Sequence, residues 1–183
     1  LVGSFAGILA GMFGVGGGII IVPVLVFVFS FLGFEDLYLV HIAIGTSLAT
    51  IFFTGISSTR SHYLKGSIDA KAFFPIAIGI SFGAILGAFI ASSLDGDMLR
   101  KIIGIFAFLI AIQMMFNQNR NVKKSTNQIV SMLTGVGIGS ASSVLGIGGG
   151  SFTVPFFKYN GIDMKTSIGT AAACGIPIAF FGS

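Results

Sequence analysis

The sequence predicts an all-α, multi-pass membrane protein on the basis of an apolar composition, long stretches without charge and a glycine-rich motif that occurs twice. Of the 183 residues, 54% are hydrophobic and 9% are charged, whereas a soluble domain carries about 25% charged residues. So few charges cannot cover a surface that faces water. We therefore expect most of the chain to face lipid.

The charge-free runs define the predicted membrane spans. Each is at or above the roughly 18–20 residues that cross a bilayer as a helix, so we expect five complete spans and a sixth that is cut short. Helices are predicted because lipid cannot satisfy an open sheet edge and no alternating barrel pattern appears. The runs are residues 1–34, 37–59, 72–94, 102–119, 125–157 and 166–183.

The basic residues between the spans predict the orientation in the membrane. Lys and Arg are enriched in cytoplasmic loops, and the stretches 60–71 and 120–124 hold six of the ten. We place these two loops in the cytoplasm. The basic residues do not form a patch with interleaved aromatics, so nucleic acid is not a predicted partner. The opposite side is predicted to hold the other four, Arg100, Lys101, Lys158 and Lys165.

A ten-residue motif occurs twice, 132 residues apart. The stretch 14–23 (GVGGGIIIVP) returns as 146–155 (GIGGGSFTVP), and a Gly-Thr pair follows each copy, at Gly45-Thr46 and Gly169-Thr170. Two copies with the same order of parts indicate a duplicated unit, as in many secondary transporters.

The repeat predicts the domain organisation: a polytopic helical bundle with about four spans per half. Residues 1–124 form the first transmembrane repeat, and residues 125–183 form the start of the second, which is truncated. Four spans before the second copy would make the halves parallel. One re-entrant run would instead make them inverted, and the sequence leaves both arrangements open.

Three consecutive glycines inside an apolar run predict a broken helix. Each glycine costs about 1 kcal/mol of helix propensity relative to alanine, and the proline five residues later removes a backbone donor. Unwound backbone at this depth is tolerated only where protein buries it or where it lines a cavity. We assign the helix breaks to Gly14, Pro23, Gly146 and Pro155.

The broken segments are candidate anion-binding sites. Free glycine N–H groups, with the positive end of the helix that restarts after them, attract an anion without a fixed cation. Nearby hydroxyl groups add donors, and an oxyanion such as sulfite or a sulfonate suits this donor set. The candidate substrate-binding residues are Gly16, Gly17, Gly18, Thr46, Ser47, Gly148, Gly149, Gly150, Ser151 and Thr170.

Close helix packing is the alternative role for glycine. Small residues four apart let membrane helices approach each other, and Gly79, Gly83 and Gly87 form such a ladder. If the paired motif serves packing only, the protein is a membrane scaffold or an accessory subunit. The sequence has no nucleophile–base set, paired carboxylates or metal-ligand cluster, so no enzyme, cofactor or metal site is predicted. Neither motif completes a Walker A loop or a dinucleotide fingerprint.

The paired motif resembles that of the TauE/SafE family of membrane transporters, which includes proposed sulfite and organosulfur-anion exporters. The resemblance extends over essentially all 183 residues and includes Gly175-Ile176-Pro177. It implies a multi-pass carrier of about eight spans in the plasma (inner) membrane, without a prosthetic group. The implied partners are a small anionic solute and the lipid bilayer, and a homo-oligomer stays open. The resulting hypothesis is a secondary transporter of small anions such as sulfite, sulfonates or other organosulfur anions.

Overall fold

The computed structural model describes residues 18–33, 36–115 and 127–183, and these residues form helices and no strand. Four helices in this part are long and apolar enough to cross a membrane. Large apolar side chains such as Phe53, Phe82 and Phe89 are exposed on the bundle surface, where they meet lipid. The predicted helical membrane fold is thus confirmed. The described helices are α1 (Gly18–Phe31), α2 (Asp36–Leu64), α3 (Ala70–Ser92), α4 (Gly96–Met115), α5 (Gln128–Leu145), α6 (Gly150–Tyr159) and α7 (Met164–Gly182).

The charge-free run 125–157, which the sequence analysis counted as one span, contains two helices. Helix α5 ends at Leu145, and α6 begins at Gly150. At 1.5 Å per residue, the ten-residue α6 is about 15 Å long, which is half of the roughly 30 Å hydrocarbon core. Helix α6 therefore cannot cross the membrane by itself.

Aspartates start the two helices that follow the α2–α3 and α6–α7 loops. The carboxylate of Asp69 accepts hydrogen bonds from the N–H groups of Lys71 and Ala72 at 2.9 and 3.2 Å. Asp163 accepts from the N–H of Thr166 at 3.0 Å. Such caps satisfy donors that a helix start leaves unpaired. The hydrogen bond from Thr166 lowers the pKa of Asp163. The stabilisation that this cap gives to the folded protein is therefore present above the pKa that Asp163 has in the unfolded chain, and it is lost as the pH falls through the lower pKa of the folded state.

Helices α2 and α7 pack in opposite directions. Gly55 of α2 lies against Ile176 of α7. Further along α2, His62 lies against Gly169, which is nearer to the start of α7. Because residue numbers rise along one helix as they fall along the other, the two helices are antiparallel. They are also the helices that carry the two Gly-Thr pairs.

Helices α3 and α5 pack in the same direction through glycines. Gly79 lies against the backbone of Met132, and Gly83 lies against the backbone of Val136. Gly87 continues the ladder against α5. An added Cβ would overlap the facing carbonyl group, so only glycine allows this approach. The predicted packing role of this ladder is confirmed.

The segment of α5 and α6 returns to the side from which it starts. Helices α3 and α5 both start on the side of the α2–α3 loop, because they run in parallel. The start of α7 also lies on that side: the N–H of Asp69 donates to Thr170 Oγ1 at 3.0 Å, and Gly169 packs on Ser67. Since residues 160–163 alone connect α6 to α7, α6 ends there too.

This path corrects the predicted side of two lysines. Lys158 in the last turn of α6 and Lys165 in the first turn of α7 lie on the side of the α2–α3 loop, because the segment turns back instead of crossing. The larger excess of basic residues supports a cytoplasmic location for this side. Among the described residues, it holds Arg60, Lys65, Lys71, Lys158 and Lys165, and the other side holds Arg100 and Lys101.

Single-cysteine labelling tests this arrangement. The sequence has one native cysteine, Cys174, which is fully buried. A Cys174→Ala background removes it, so that each introduced cysteine is the one thiol that can react. In that background, Lys65→Cys and Lys165→Cys should both react with an impermeant maleimide from the cytoplasmic face, and Asp97→Cys from the other face. Reaction of Lys65→Cys and Lys165→Cys from different faces would contradict the returning path.

Replacing Gly83 with alanine tests the α3–α5 contact. The added Cβ overlaps the backbone of Val136, and overpacking of this kind costs about 1–3 kcal/mol. Gly104 of α4 is the matched control, because nothing lies within 4 Å of a Cβ added there. Gly104→Ala should keep stability or raise it by about 1 kcal/mol through helix propensity. Thermal unfolding in detergent measures both, and equal melting temperatures would contradict the close approach.

Candidate functional site

The residues between α5 and α6 form a turn made by glycines. Gly146 ends α5 with φ 67°, and Gly149 precedes α6 with φ 73°. Both angles lie in the left-handed region, which glycine adopts without a steric penalty and other residues rarely enter. Residues 146–149, defined here as the glycine turn, therefore need glycine at two positions for backbone reasons alone.

Several N–H groups of the glycine turn and of the start of α6 are unpaired. The first two N–H groups of the turn donate back to the carbonyls of Ser142 and Ser143. In the part of the chain that the structure describes, the N–H groups of Gly148, Gly149 and Gly150 have no acceptor. A helix start leaves its first N–H groups free and carries the positive end of the helix dipole. The start of α6 is thus a concentration of hydrogen-bond donors.

The glycine turn lies at mid-depth in the bundle. The side chain of Ile51, near the midpoint of α2, covers Gly148, and the side chain of Ile178 on α7 covers Gly149. Ile178 is fourteen residues after Met164, which places it about 21 Å along α7 at 1.5 Å per residue. The positive end of α6 therefore lies within the membrane, away from both surfaces.

The described end of the first motif lies directly against the second motif. A Cβ at Gly18 would meet the backbone of Gly146 and Ile147 within 3 Å. Gly146 in turn contacts Val22 of α1 and Ile44 of α2. The two motif copies therefore meet backbone to backbone. The remaining predicted residues of the first copy, Gly14, Gly16 and Gly17, lie outside the described residues.

The residues with predicted hydroxyl ligands differ in their position relative to the glycine turn. Ser47 is fully buried, and its Oγ donates to the carbonyl of Gly146 at 2.9 Å, so it holds the glycine turn. Ser151 is buried in the first turn of α6. Thr46 is exposed on α2. Thr170 is buried near the start of α7, where it accepts from Asp69, and it is apart from the turn.

Pro23 and Pro155 lie inside helices, so their assignment to helix breaks is wrong. Each is the sixth residue of its helix, and α1 continues to Phe31 and α6 to Tyr159. Proline fixes φ near the helical value and removes one intrahelical hydrogen bond, a loss that membrane helices tolerate. In the second copy, the non-helical residues come before the proline, at the glycine turn.

Two residues that the sequence analysis did not single out are Ser142 and Ser143, in the last turn of α5. They are 0% and 1% exposed. Their Oγ atoms have no hydrogen-bond partner among residues 18–33, 36–115 and 127–183. The available signal was a serine pair placed directly before the second motif.

A groove of about 430 Å³ between α2, α3 and α7 is separate from the glycine turn. Its walls are aromatic and aliphatic, and include Phe52, Phe73 and Phe180. Its polar lining residue is Ser81, whose hydroxyl donates to the carbonyl of Ala77 at 2.9 Å. This lining suits an apolar occupant such as a lipid chain and does not suit an anion.

Replacing Ser47 with alanine tests how the glycine turn is held. The change leaves the buried carbonyl of Gly146 without its donor, and we expect a loss of about 1–3 kcal/mol in the free energy of unfolding. Thr50→Ala is the control, because that hydroxyl bonds the carbonyl of Thr46 on the exposed face of the same helix, where substitutions change stability by less than about 0.5 kcal/mol. Equal thermal unfolding of both variants would refute the role of Ser47.

Comparison with known proteins gives one consistent family. The model of the family described as sulfite exporter TauE/SafE matches residues 1–183. A protein of Haemophilus influenzae named probable membrane transporter is 38% identical over the whole chain, which spans 70% of that relative. A Methanocaldococcus jannaschii protein of the same name is 31% identical over the whole chain and 68% of its own length. YunE of Bacillus subtilis, also so named, is 31% identical over 85% of the chain and 64% of its own length. No solved structure matches.

Proposed function

The chain belongs to the TauE/SafE family, and we propose that it is a secondary transporter of small anions, with sulfite, sulfonates or other organosulfur anions as substrates. The relatives bear the names of membrane transporters, and the family bears the name of a sulfite exporter. The observation that carries the proposal is the start of α6 at mid-depth, with the unpaired N–H groups of Gly148, Gly149 and Gly150.

The start of α6 has the chemistry that an anion needs inside a membrane. A helix N-terminus carries about +0.5 of an elementary charge, and its N–H groups donate to anion oxygens. The Lys and Arg residues that the structure describes lie near helix ends, away from the glycine turn. Backbone dipoles would therefore attract the anion in place of a fixed cation, as half-helix N-termini attract anionic substrate groups in other transporters.

The paired motif supports a transport cycle. We assign residues 1–124 and 125–183 to two repeats that are related by inversion, because α2 and α7 carry the two Gly-Thr pairs and run in opposite directions. Helix α1 packs on α2 as α6 packs on α7. Inverted repeats let a carrier adopt two related states, each open to one side of the membrane.

Two isoleucines lie beside the proposed site. Ile51 lies against Gly148, and Ile178 lies against Gly149. Ile51 belongs to α2 and Ile178 to α7, which are the helices of different copies. Gly148 and Gly150 are half-buried and Gly149 is buried, so relative movement of α2 and α7 would change the space beside these N–H groups.

Helix packing is the competing role for the motif, and the contact of Gly18 with the backbone of Gly146 favours it. In that case the protein is a membrane scaffold or an accessory subunit that moves no solute. The two roles make different predictions for flux, because a packing contact has no reason to depend on the chemistry of an anion.

Anion flux from proteoliposomes tests the proposal. Vesicles loaded with sulfite, sulfate or methanesulfonate should release at least one of these anions only when they contain the protein. An inside-negative potential, worth about 2.3 kcal/mol per charge per 100 mV, should accelerate the release. Gly149→Ala should abolish it, because the new Cβ is strained at φ 73° and collides with Ile178. Gly137→Ala on α5, with nothing within 4 Å of the added Cβ, should release as wild type does.

The outcomes separate the function from the site. No release of any of the three anions by folded wild-type protein would contradict the transporter proposal and favour the scaffold. Release by Gly149→Ala at the rate of Gly137→Ala would leave transport standing but exclude the start of α6 as its site. Fluorescence-detected size exclusion of each variant controls for misfolding.

A further inference from the structure

We propose that Ser142 is an anion-binding residue, whose hydroxyl donates a hydrogen bond to an oxygen of the anion held at the start of α6. The inference rests on the proposed function, because it adds one side-chain ligand to that site. Three observations carry it: the burial of the hydroxyl without a hydrogen-bond partner among the described residues, its position beside Gly149, and the apolar residue at the equivalent position before the first motif.

The buried position of the Ser142 hydroxyl is energetically unfavourable unless a ligand accepts its hydrogen bond. The residue is 0% exposed, and its Oγ has no hydrogen-bond partner within the described part of the chain. Serines in apolar helices usually donate to a carbonyl of the preceding turn, as Ser140 does to Val136 at 2.9 Å. A buried hydroxyl without a partner loses its hydration and gains nothing in return. The Ser142 hydroxyl is therefore available to a ligand.

The same hydroxyl faces the start of α6. Ser142 Oγ lies 3.6 Å from the position that a Cβ on Gly149 would take. The N–H of Gly149 is one of the three unpaired N–H groups described above. One small oxyanion can accept from both. The side chain of Ile178 contacts the same position, so its displacement opens the place where an anion oxygen would meet the two donors.

Ser143 shows the same burial without the same surroundings. It is 1% exposed, and its Oγ also has no hydrogen-bond partner among the residues that the structure describes. Its side chain lies against Gly87 of α3 and Gly182 of α7, so it faces a contact between helices. Ser143 therefore provides a matched control: the residue type, the helix turn and the burial are the same, and the direction of the side chain differs.

The two copies of the motif differ in polarity at equivalent positions. Gly18 of the apolar first copy packs on Gly146, whereas the second copy carries hydroxyl groups. The hydroxyl of Thr153 donates to the carbonyl of Gly149 at 2.9 Å, so Ser142 is the residue of this set that the inference uses. Because its counterpart is an alanine, the proposed site is asymmetric. At the offset of 132 residues, Ala10, Ile19 and Ile21 of the first copy correspond to Ser142, Ser151 and Thr153 of the second.

Transport kinetics of serine variants test the inference. The probe is methanesulfonate, an anion with three acceptor oxygens, taken up by proteoliposomes that contain the purified protein. Ser142→Ala should raise KM by about ten- to a hundredfold, the effect of losing one hydrogen bond to a charged ligand. Ser143→Ala should keep the wild-type KM. Ser142→Cys should fall between wild type and Ser142→Ala, because a thiol is a weaker donor.

A binding measurement separates a ligand from a structural residue. Without an anion, Ser142→Ala and Ser143→Ala should both melt at or above the wild-type temperature, because each removes a buried unpaired hydroxyl. An excess of methanesulfonate should raise the melting temperature of the wild type and of Ser143→Ala. Ser142→Ala should show little or none of this rise.

Three results would contradict the role of Ser142 as a ligand. A wild-type KM and a wild-type melting shift in Ser142→Ala would overturn the inference and leave the proposed transport intact. Equal losses in Ser142→Ala and Ser143→Ala would also overturn it, since they would assign both serines to packing. If methanesulfonate and sulfite neither cross the membrane with the wild type nor raise its melting temperature, the inference and the proposed function fail together.

Discussion

A chain inside lipid must satisfy its backbone hydrogen bonds internally, and in the part that the structure describes, the glycine turn at residues 146–149 and the start of α6 leave three N–H groups without an acceptor. Residues from three other helices pack around the turn. Gly18 and Ser47 contact Gly146, while Ile51 and Ile178 cover the next glycines. The close contact of the two motifs and the antiparallel pairing of α2 with α7 bury Gly146 and Gly149 and leave Gly148 and Gly150 half-buried.

Glycine has two physically different uses in this fold, and one supports the other. Gly79, Gly83 and Gly87 are helical and let α3 approach the backbone of α5. Gly146 and Gly149 instead have positive φ and turn the chain. The glycine contact fixes the position of α5, and therefore the point at which the turn begins. A site made of backbone donors needs such support, because small displacements weaken hydrogen bonds strongly.

The sequence predicted the helical membrane fold and the α3 ladder because lipid leaves few alternatives to a helix and few uses for regularly spaced glycine. The path of residues 125–157 could not be predicted in the same way, since hydropathy records the length of an apolar run and not its direction. Pro155 was placed in the break because propensity ignores where in a helix a proline falls. Ser142 was not singled out, because only the three-dimensional structure shows that its hydroxyl is buried without a hydrogen-bond partner among the described residues.

On the proposed function, the unpaired groups also explain how binding would drive movement. A ligand shifts a conformational equilibrium only through its different affinity for the two states. Among the described residues, the N–H groups of Gly148, Gly149 and Gly150 and the Ser142 hydroxyl have no hydrogen-bond acceptor, while Ile51 and Ile178 make apolar contacts beside Gly148 and Gly149. An anion would exchange those contacts for charge-assisted hydrogen bonds, which are about twice as strong as neutral ones. The groups that destabilise the empty protein would thus supply the free energy for the movement.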